Sequence, residues 1–245
     1  MDFTFPAIAI IHSCFKEKFG IPRQPGLVPL ATAQLEFLPP YNNPTAVAGL
    51  EGCSHIWLQF VFHANSHNEG WKPRVKPPRL GGNKSIGVFA TRSPNRPAPI
   101  GLSVVKLESI EQQEGKLLLN LSGVDLLDGT PVLDIKPYIP YVDKVCEAIN
   151  EFAPAAPVFM PVTLGREQQL FCSAFQQQTG TNLIELITQI LQQDPRPQYQ
   201  TATADRIYGM KLLNLDLRWG YMTAGENYGI YVHSILVVDV TNDKK

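Results

Sequence analysis

Between residues 70 and 107 the chain carries Lys72, Arg74, Lys76, Arg79, Lys84, Arg92, Arg96 and Lys106, and no acidic side chain. The whole protein has a formal charge of −1, so this stretch is a basic excess in an otherwise acidic molecule. Pro73, Pro77, Pro78, Pro94, Pro97 and Pro99 alternate with Gly81, Gly82, Gly87 and Gly101. Proline fixes φ and glycine admits positive φ, so the stretch reads as a shaped surface. A basic surface held in one shape attracts phosphate. Charge alone fits a solvated proline-rich loop equally well.

Other chemistries find little support. His63 and His67 stand four apart, as two metal ligands on a helix would. Their setting, FVFHANSHNEGW, leaves a strand and enters a loop, and no H-E-x-x-H occurs, so no metal is expected. No G-x-G-x-x-G joins a strand to a helix, which removes the Rossmann site. A Walker loop and a G-x-S-x-G elbow are also missing. Cys14, Cys53, Cys146 and Cys172 are far apart and form no CxxC pair. They read as free thiols in a reducing compartment, the cytoplasm. No apolar run approaches the roughly 20 residues of a membrane helix. The apolar N-terminus reads as a first strand and not a signal peptide, because Asp2 stands where a basic start would be.

The elements that must position these residues change character near the middle. Up to about residue 141, seven short β-like stretches are expected, at 7–12, 33–38, 55–63, 85–92, 100–110, 116–123 and 132–138. Residues 111–115 read as a hairpin loop and 128–131 as a tight turn. No helical stretch separates the strands, so the expectation is an antiparallel barrel or sandwich. Residues 148–161 contain Pro154, Pro157 and Pro161 with several alanines and read as a linker. Beyond it, Leu170, Phe171, Ala174 and Phe175 form a helical stripe ending at Gly180. Leu183, Ile184, Ile187, Ile190 and Leu191 form another, capped at Thr181 or Asn182. Residues 213–219 alternate as a strand, 223–227 turn, and 228–240 return as a second strand. The fold class expected is mainly β: an antiparallel β-barrel domain over 1–147, a linker over 148–161, and a smaller α+β domain over 162–245.

Four groups of residues carry a resemblance. They are Lys16-Glu17-Lys18-Phe19 with Pro22-Arg23-Gln24-Pro25-Gly26-Leu27; Gly49-Leu50-Glu51, Ser54-His55-Ile56-Trp57 and Phe60-Val61-Phe62-His63; Arg74 to Gly82 running into Gly87 to Pro97; and Asp125 to Tyr138. In this order they resemble the tRNA threonylcarbamoyladenosine methyltransferase family, an S-adenosylmethionine-dependent group with a β-barrel fold. Gln192-Gln193-Asp194-Pro195-Arg196-Pro197 and Tyr199 resemble its longer bacterial members. The resemblance implies methylation of N6 of threonylcarbamoyladenosine at position 37 in threonine tRNA. It also implies a homodimer with the cofactor near the subunit interface. A non-catalytic β-barrel RNA-binding module, or a methyltransferase on another substrate, is the alternative.

The resemblance places S-adenosylmethionine along Pro25, Gly26 and Leu27, His63 and Ala64, Arg92, Leu102, and the turn Ser122, Gly123, Val124 and Asp125. Backbone near Gly26 and Gly123 could approach an adenine closely, or these could be turn glycines. Arg92 could take the cofactor carboxylate, a tRNA phosphate or a surface ion pair. Asp125, Asp128, Asp134 and His63 are candidate bases, with Asp128 equally a turn residue. Candidate tRNA contacts are Lys72, Arg74, Lys76, Arg79 and Arg96, with Arg196, Arg206, Lys211 and Arg218 from the second domain. Trp71 and Tyr199 are candidates for base stacking or packing.

Overall fold

The computed structural model describes residues 3–65, 71–77, 84–197, 199–222 and 228–238. Its first half is a closed antiparallel barrel of six strands. These are β1 (Ala9–Ser13), β2 (Thr32–Phe37), β3 (His55–Val61), β6 (Ile100–Gln113), β7 (Lys116–Ser122) and β8 (Pro131–Pro137). The order around the barrel is β1-β2-β7-β6-β3-β8. A closed sheet has no free edge, and every second residue must face inward. In β3, Ile56, Leu58 and Phe60 point in while His55, Trp57, Gln59 and Val61 point out. Ile11, Leu35, Val105, Leu119 and Val132 meet them in the core. The fold class is therefore as the alternation of the sequence implied.

The chain leaves that expectation at several places. Residues 85–92 do not form one strand. Only β5 (Ile86–Gly87) pairs, with β4 (Arg74–Val75), before a 3-10 turn at Val88–Ala90. Pro73 and Pro77 flank β4 and cannot donate to a ladder, which keeps the pair short. The hairpin expected over 111–115 is tighter: β6 runs to Gln113, and Glu114 and Gly115 turn with φ of 52° and 79°. Those positive values suit a two-residue hairpin.

The second half carries α1 (Pro140–Asp143), β9 (Val162–Leu164), α2 (Arg166–Thr179), α3 (Leu183–Leu191), β10 (Tyr208–Leu212), β11 (Leu215–Met222) and β12 (Gly229–Val237). Its sheet runs β10-β11-β12-β9, the last pair parallel. Gly180 ends α2 at φ 76°, and the Asn182 side chain caps α3 by accepting from the Glu185 amide at 3.2 Å. The stripe expected on α2 is rotated. Gln168 and Cys172 are buried and Leu170 is 63% exposed, because the Gln168 amide donates to the His233 carbonyl of β12 at 2.9 Å. Strand β10 was not expected. Leu213, read as strand, is instead a turn residue at φ 56°, and Tyr208, Met210 and Leu212 alternate inward before it. The turn expected at 223–227 lies outside the described residues.

Residues 14–31 join β1 to β2 and belong to no strand of either sheet. Phe15 forms a single bridge to Leu212, and the Leu213 amide donates to the Cys14 carbonyl at 2.7 Å. Phe19 stacks on Trp219 with centroids 5.7 Å apart. This segment is the layer between barrel and second sheet.

Candidate active site at one end of the barrel

Antiparallel closure brings the end of β3, the start of β6 and the turn after β7 to the same end of the barrel. There they enclose a cleft of about 660 Å³. Lys18, Ile21, Pro22, Arg23 and Gln24 form one wall. Trp57, Phe62, His63 and Ala64 with Ile100, Leu102 and Ser103 form another. Thr91, Arg92 and Arg96 stand at one side, and Asp125, Leu126 and Leu127 complete the lining. The Phe60 ring lies over Gly101; a Cβ there would sit 2.2 Å from the ring, so only glycine admits this packing.

Asp125 is the chemically distinctive group. Its carboxylate accepts from the Ser103 hydroxyl at 2.7 Å. Burial pushes its pKa up to about 6, against the opposing effects of that hydrogen bond and of nearby Arg92. Arg92 is exposed at the rim, and its guanidinium donates to the Gln24 side-chain oxygen. Lys18 closes the opposite corner by donating to the Ala64 carbonyl at 2.7 Å.

Of the four candidate bases, Asp125 and His63 line the cleft. Asp128 is turned away and holds the barrel together: it accepts from the Ser13 amide at 2.9 Å and pairs with Lys16 at 3.0 Å. Asp134 lies on β8, paired with Lys136 at 2.7 Å. Of the other expected cofactor residues, Ala64, Arg92 and Leu102 line the cleft. Pro25, Gly26, Leu27, Ser122, Gly123 and Val124 do not line it. Gly26 and Gly123 serve each other: the Gly26 amide donates to the Gly123 carbonyl at 2.8 Å, with φ of 76° and 70°. Left-handed backbone explains both glycines, and the Gly26 amide is already engaged. The Ser122 hydroxyl is committed to Glu108.

Among the lining residues not picked out from sequence, Lys18, Gln24 and Ser103 make hydrogen bonds that shape the cleft. Lys18 and Gln24 lie within the quoted motifs, and their roles depend on partners 46 and 68 residues away. Ser103 did leave a signal, as a hydroxyl at an inward position between Gly101 and Val105. Among the described residues no group of three His, Cys, Asp or Glu side chains could hold a metal; His67 lies outside them.

The expected RNA contacts fall into two kinds. Lys76 is exposed, and Arg74 is braced by Ser85, donating to its hydroxyl at 3.1 Å. Arg96 lines the cleft and donates to the Thr91 carbonyl at 3.2 Å. Trp71 and Phe89 stack at 6.4 Å, and both are exposed. Tyr199 is exposed as well. Arg79 lies outside the described residues. In the second half, Arg218 is held by both carboxylate oxygens of Asp216, at 2.6 and 2.9 Å. Arg196 is turned inward. It pairs with Asp194 at 3.1 Å, donates to the Gln200 carbonyl, and lies 5.2 Å above the Tyr221 ring. Tyr221 donates to Asp194 at 2.6 Å. The Asp194-Pro195-Arg196 run is thus an internal brace.

Comparison with known proteins covers both halves. Residues 10–144 match the family model of the tRNA-methyltransferase O N-terminal domain, and residues 157–237 that of the TrmO C-terminal domain. A putative S-adenosylmethionine-dependent methyltransferase of Pseudomonas aeruginosa is 50% identical over 90% of this chain and 94% of its own. The tRNA (adenine(37)-N6)-methyltransferase of Escherichia coli is 43% identical over 91% of this chain and 95% of its own. A crystal structure of TrmO from Pseudomonas aeruginosa superposes with a TM-score of 0.78 at 41% identity, covering 96% of this chain and 99% of that one.

Proposed function

The chain belongs to the tRNA-methyltransferase O family, and from that premise we propose that the barrel-end cleft is where it methylates tRNA. It is an S-adenosylmethionine-dependent methyltransferase acting on N6 of adenine 37. We further infer that its substrate is the threonylcarbamoyl form of that adenosine in threonine tRNA. The working form inferred is a cytoplasmic homodimer. Phe89, 72% exposed and outside the cleft lining, supports the dimer, since it leaves apolar surface for a second copy. The observation that carries the reading is the cleft itself, with Asp125 and Arg92 at its margins.

The residues fit the cofactor. A volume of about 660 Å³ falls within the roughly 300–1,000 Å³ of small-molecule sites. S-adenosylmethionine combines a flat adenine, ribose hydroxyls, an ammonium and a carboxylate. Ile100 and Leu102 offer apolar wall for the ring. Arg92 offers a planar donor for the carboxylate.

When bound, the cofactor supplies a methyl carbon activated by its sulfonium, open to in-line displacement. The chain's own work is alignment and proton acceptance. Holding N6 on the displacement axis replaces a search through orientations and contributes several kcal/mol to the barrier reduction. The threonylcarbamoyl carbonyl makes the N6–H more acidic than that of adenosine, so a weak base suffices. Asp125, with a pKa of about 6, is ionised at neutral pH and meets that need. His63 is the other acceptor in the cleft. Calorimetry tests the reading: one S-adenosylmethionine per chain is expected, weakened by Leu102→Glu, which places a charge against the apolar wall. Wild-type affinity in Leu102→Glu would move the cofactor elsewhere.

A further inference from the structure

The cleft wall made by Lys18, Ile21, Pro22, Arg23 and Gln24 has no ladder of its own to hold it. On the barrel side it is tied by the Gly26–Gly123 bond and by the Val124 amide, which donates to the Ala31 carbonyl at 3.3 Å. Lys18 and Gln24 are also tied to Ala64 and Arg92 of the first half; the remaining ties come from the second half of the chain. Glu17 accepts from the Lys211 amide at 3.1 Å, and Arg23 donates to the Arg196 carbonyl at 3.3 Å.

Two further ties come from the last turn of α3 and the turn that follows it. Gln189 lies in the last turn of α3, and Gln193 follows its C-cap, Gln192, in a turn where the Gln193 backbone amide bonds back to Ile190. The Gln193 amide nitrogen donates to the Leu27 carbonyl at 3.3 Å. The Gln189 amide oxygen accepts from the Leu30 N–H at 3.1 Å. The Gln189 amide also donates to Glu185 at 3.0 Å, which leaves its oxygen directed at Leu30. The pair therefore reads the backbone of residues 27–30 with one donor and one acceptor. The Gln193 oxygen is buried and has no hydrogen-bond partner among the described residues. A buried acceptor left unmade costs stability, so packing alone does not account for glutamine there.

We propose that Gln189 and Gln193 are positioning residues for methyl transfer: from the second half of the chain they clip residues 27–30 and thereby set the cofactor wall at 21–24. The proposal rests on the cleft being the cofactor site. It makes α3 a structural part of the active site, although α3 does not line the cleft.

The test compares wild type, Gln193→Leu, Gln189→Met and the double variant in the full-length protein. Calorimetry with S-adenosylmethionine, hydrogen exchange of residues 21–31, KM for tRNA and Tm are measured together. Each lost bond is expected to weaken cofactor binding by roughly three- to ten-fold, and the double variant by about ten-fold or more. Exchange of the Leu30 amide should accelerate. KM for tRNA should hold, and Tm should hold or rise in Gln193→Leu, which removes the orphan oxygen with the donor. Unchanged cofactor affinity in the double variant overturns the proposal and leaves the cleft reading intact. A fall in Tm with equal loss of cofactor and tRNA binding also overturns it, since that is general destabilisation. If wild type binds S-adenosylmethionine without protecting residues 21–31, the cleft reading fails and the proposal with it.

Discussion

At the scale of single residues, Asp125 is where stability and chemistry pull apart. Its folded pKa is raised from 3.8 to about 6. The folded state therefore binds a proton more readily than the unfolded one, and this site loses stability as pH rises from about 4 to 6. Asp125→Asn is expected to raise unfolding stability at pH 7.5 by on the order of 1–2 kcal/mol. The same change should abolish most methyl transfer, and wild-type activity should fall as pH drops through about 6. Denaturant melts and a pH–rate profile check both halves, and a variant both destabilised and active would refute the assignment. Arg92 should behave differently. Arg92→Ala is expected to lower kcat/KM by about 10–100-fold, the loss of a charge-assisted hydrogen bond, with Tm almost unchanged because the side chain is exposed. Arg92→Lys should recover little if the contact is a two-pronged one; steady-state kinetics showing wild-type turnover in either variant would remove Arg92 from the site. Sequence alone assembled Arg92, His63, Leu102 and Asp125 as candidates through motif order. It could not separate Asp125 from Asp128 and Asp134. That separation depends on burial beside Ser103 in one case and on surface ion pairs with Lys16 and Lys136 in the others.

At the scale of elements, the site depends on a close approach of backbone. The Gly26–Gly123 pair needs left-handed φ at both positions. Gly123→Ala is expected to cost roughly 1–2 kcal/mol and to loosen the cofactor wall, whereas Gly115→Ala, at a distant hairpin of similar φ, should cost stability alone. Urea melts with parallel cofactor titrations distinguish them, and an equal effect on cofactor affinity would contradict the role given to the pair. The barrel strands were legible because inward and outward residues alternate over five or more positions, as in β3 and β6. Elements that break alternation were not. Strand β10 was hidden by a turn that puts Leu213, a residue with little turn character, at positive φ, and the basic stretch near Val88 was overread as strand because its pairing partner is two residues long. The layer at 14–31 has no periodicity to read, since its partners are up to 194 residues away in sequence.

At the scale of the whole molecule, the basic surface and the cleft face the same problem from two sides. If residues 70–107 neutralise tRNA phosphates, affinity should fall steeply with salt, with a log–log slope of about −0.7 per phosphate on single-stranded contacts. Neutralising Lys72, Arg74, Lys76 and Arg79 together should flatten that slope and weaken tRNA binding. It should leave S-adenosylmethionine binding nearly intact. Filter binding across a salt series reads the slope, and no change in it would shift the RNA face towards Arg218, Arg206 and Lys211. Arg196 would not take part, being turned inward onto Asp194 and Tyr221. This chain places a methyl group on N6 of adenosine 37. Nucleoside mass spectrometry of threonine tRNA, incubated with the purified protein and isotopically labelled S-adenosylmethionine, tests it directly. One labelled methyl group at N6 of threonylcarbamoyladenosine 37 is the expected result, lost in Asp125→Asn. An unlabelled position 37, or label on another nucleoside, would contradict it.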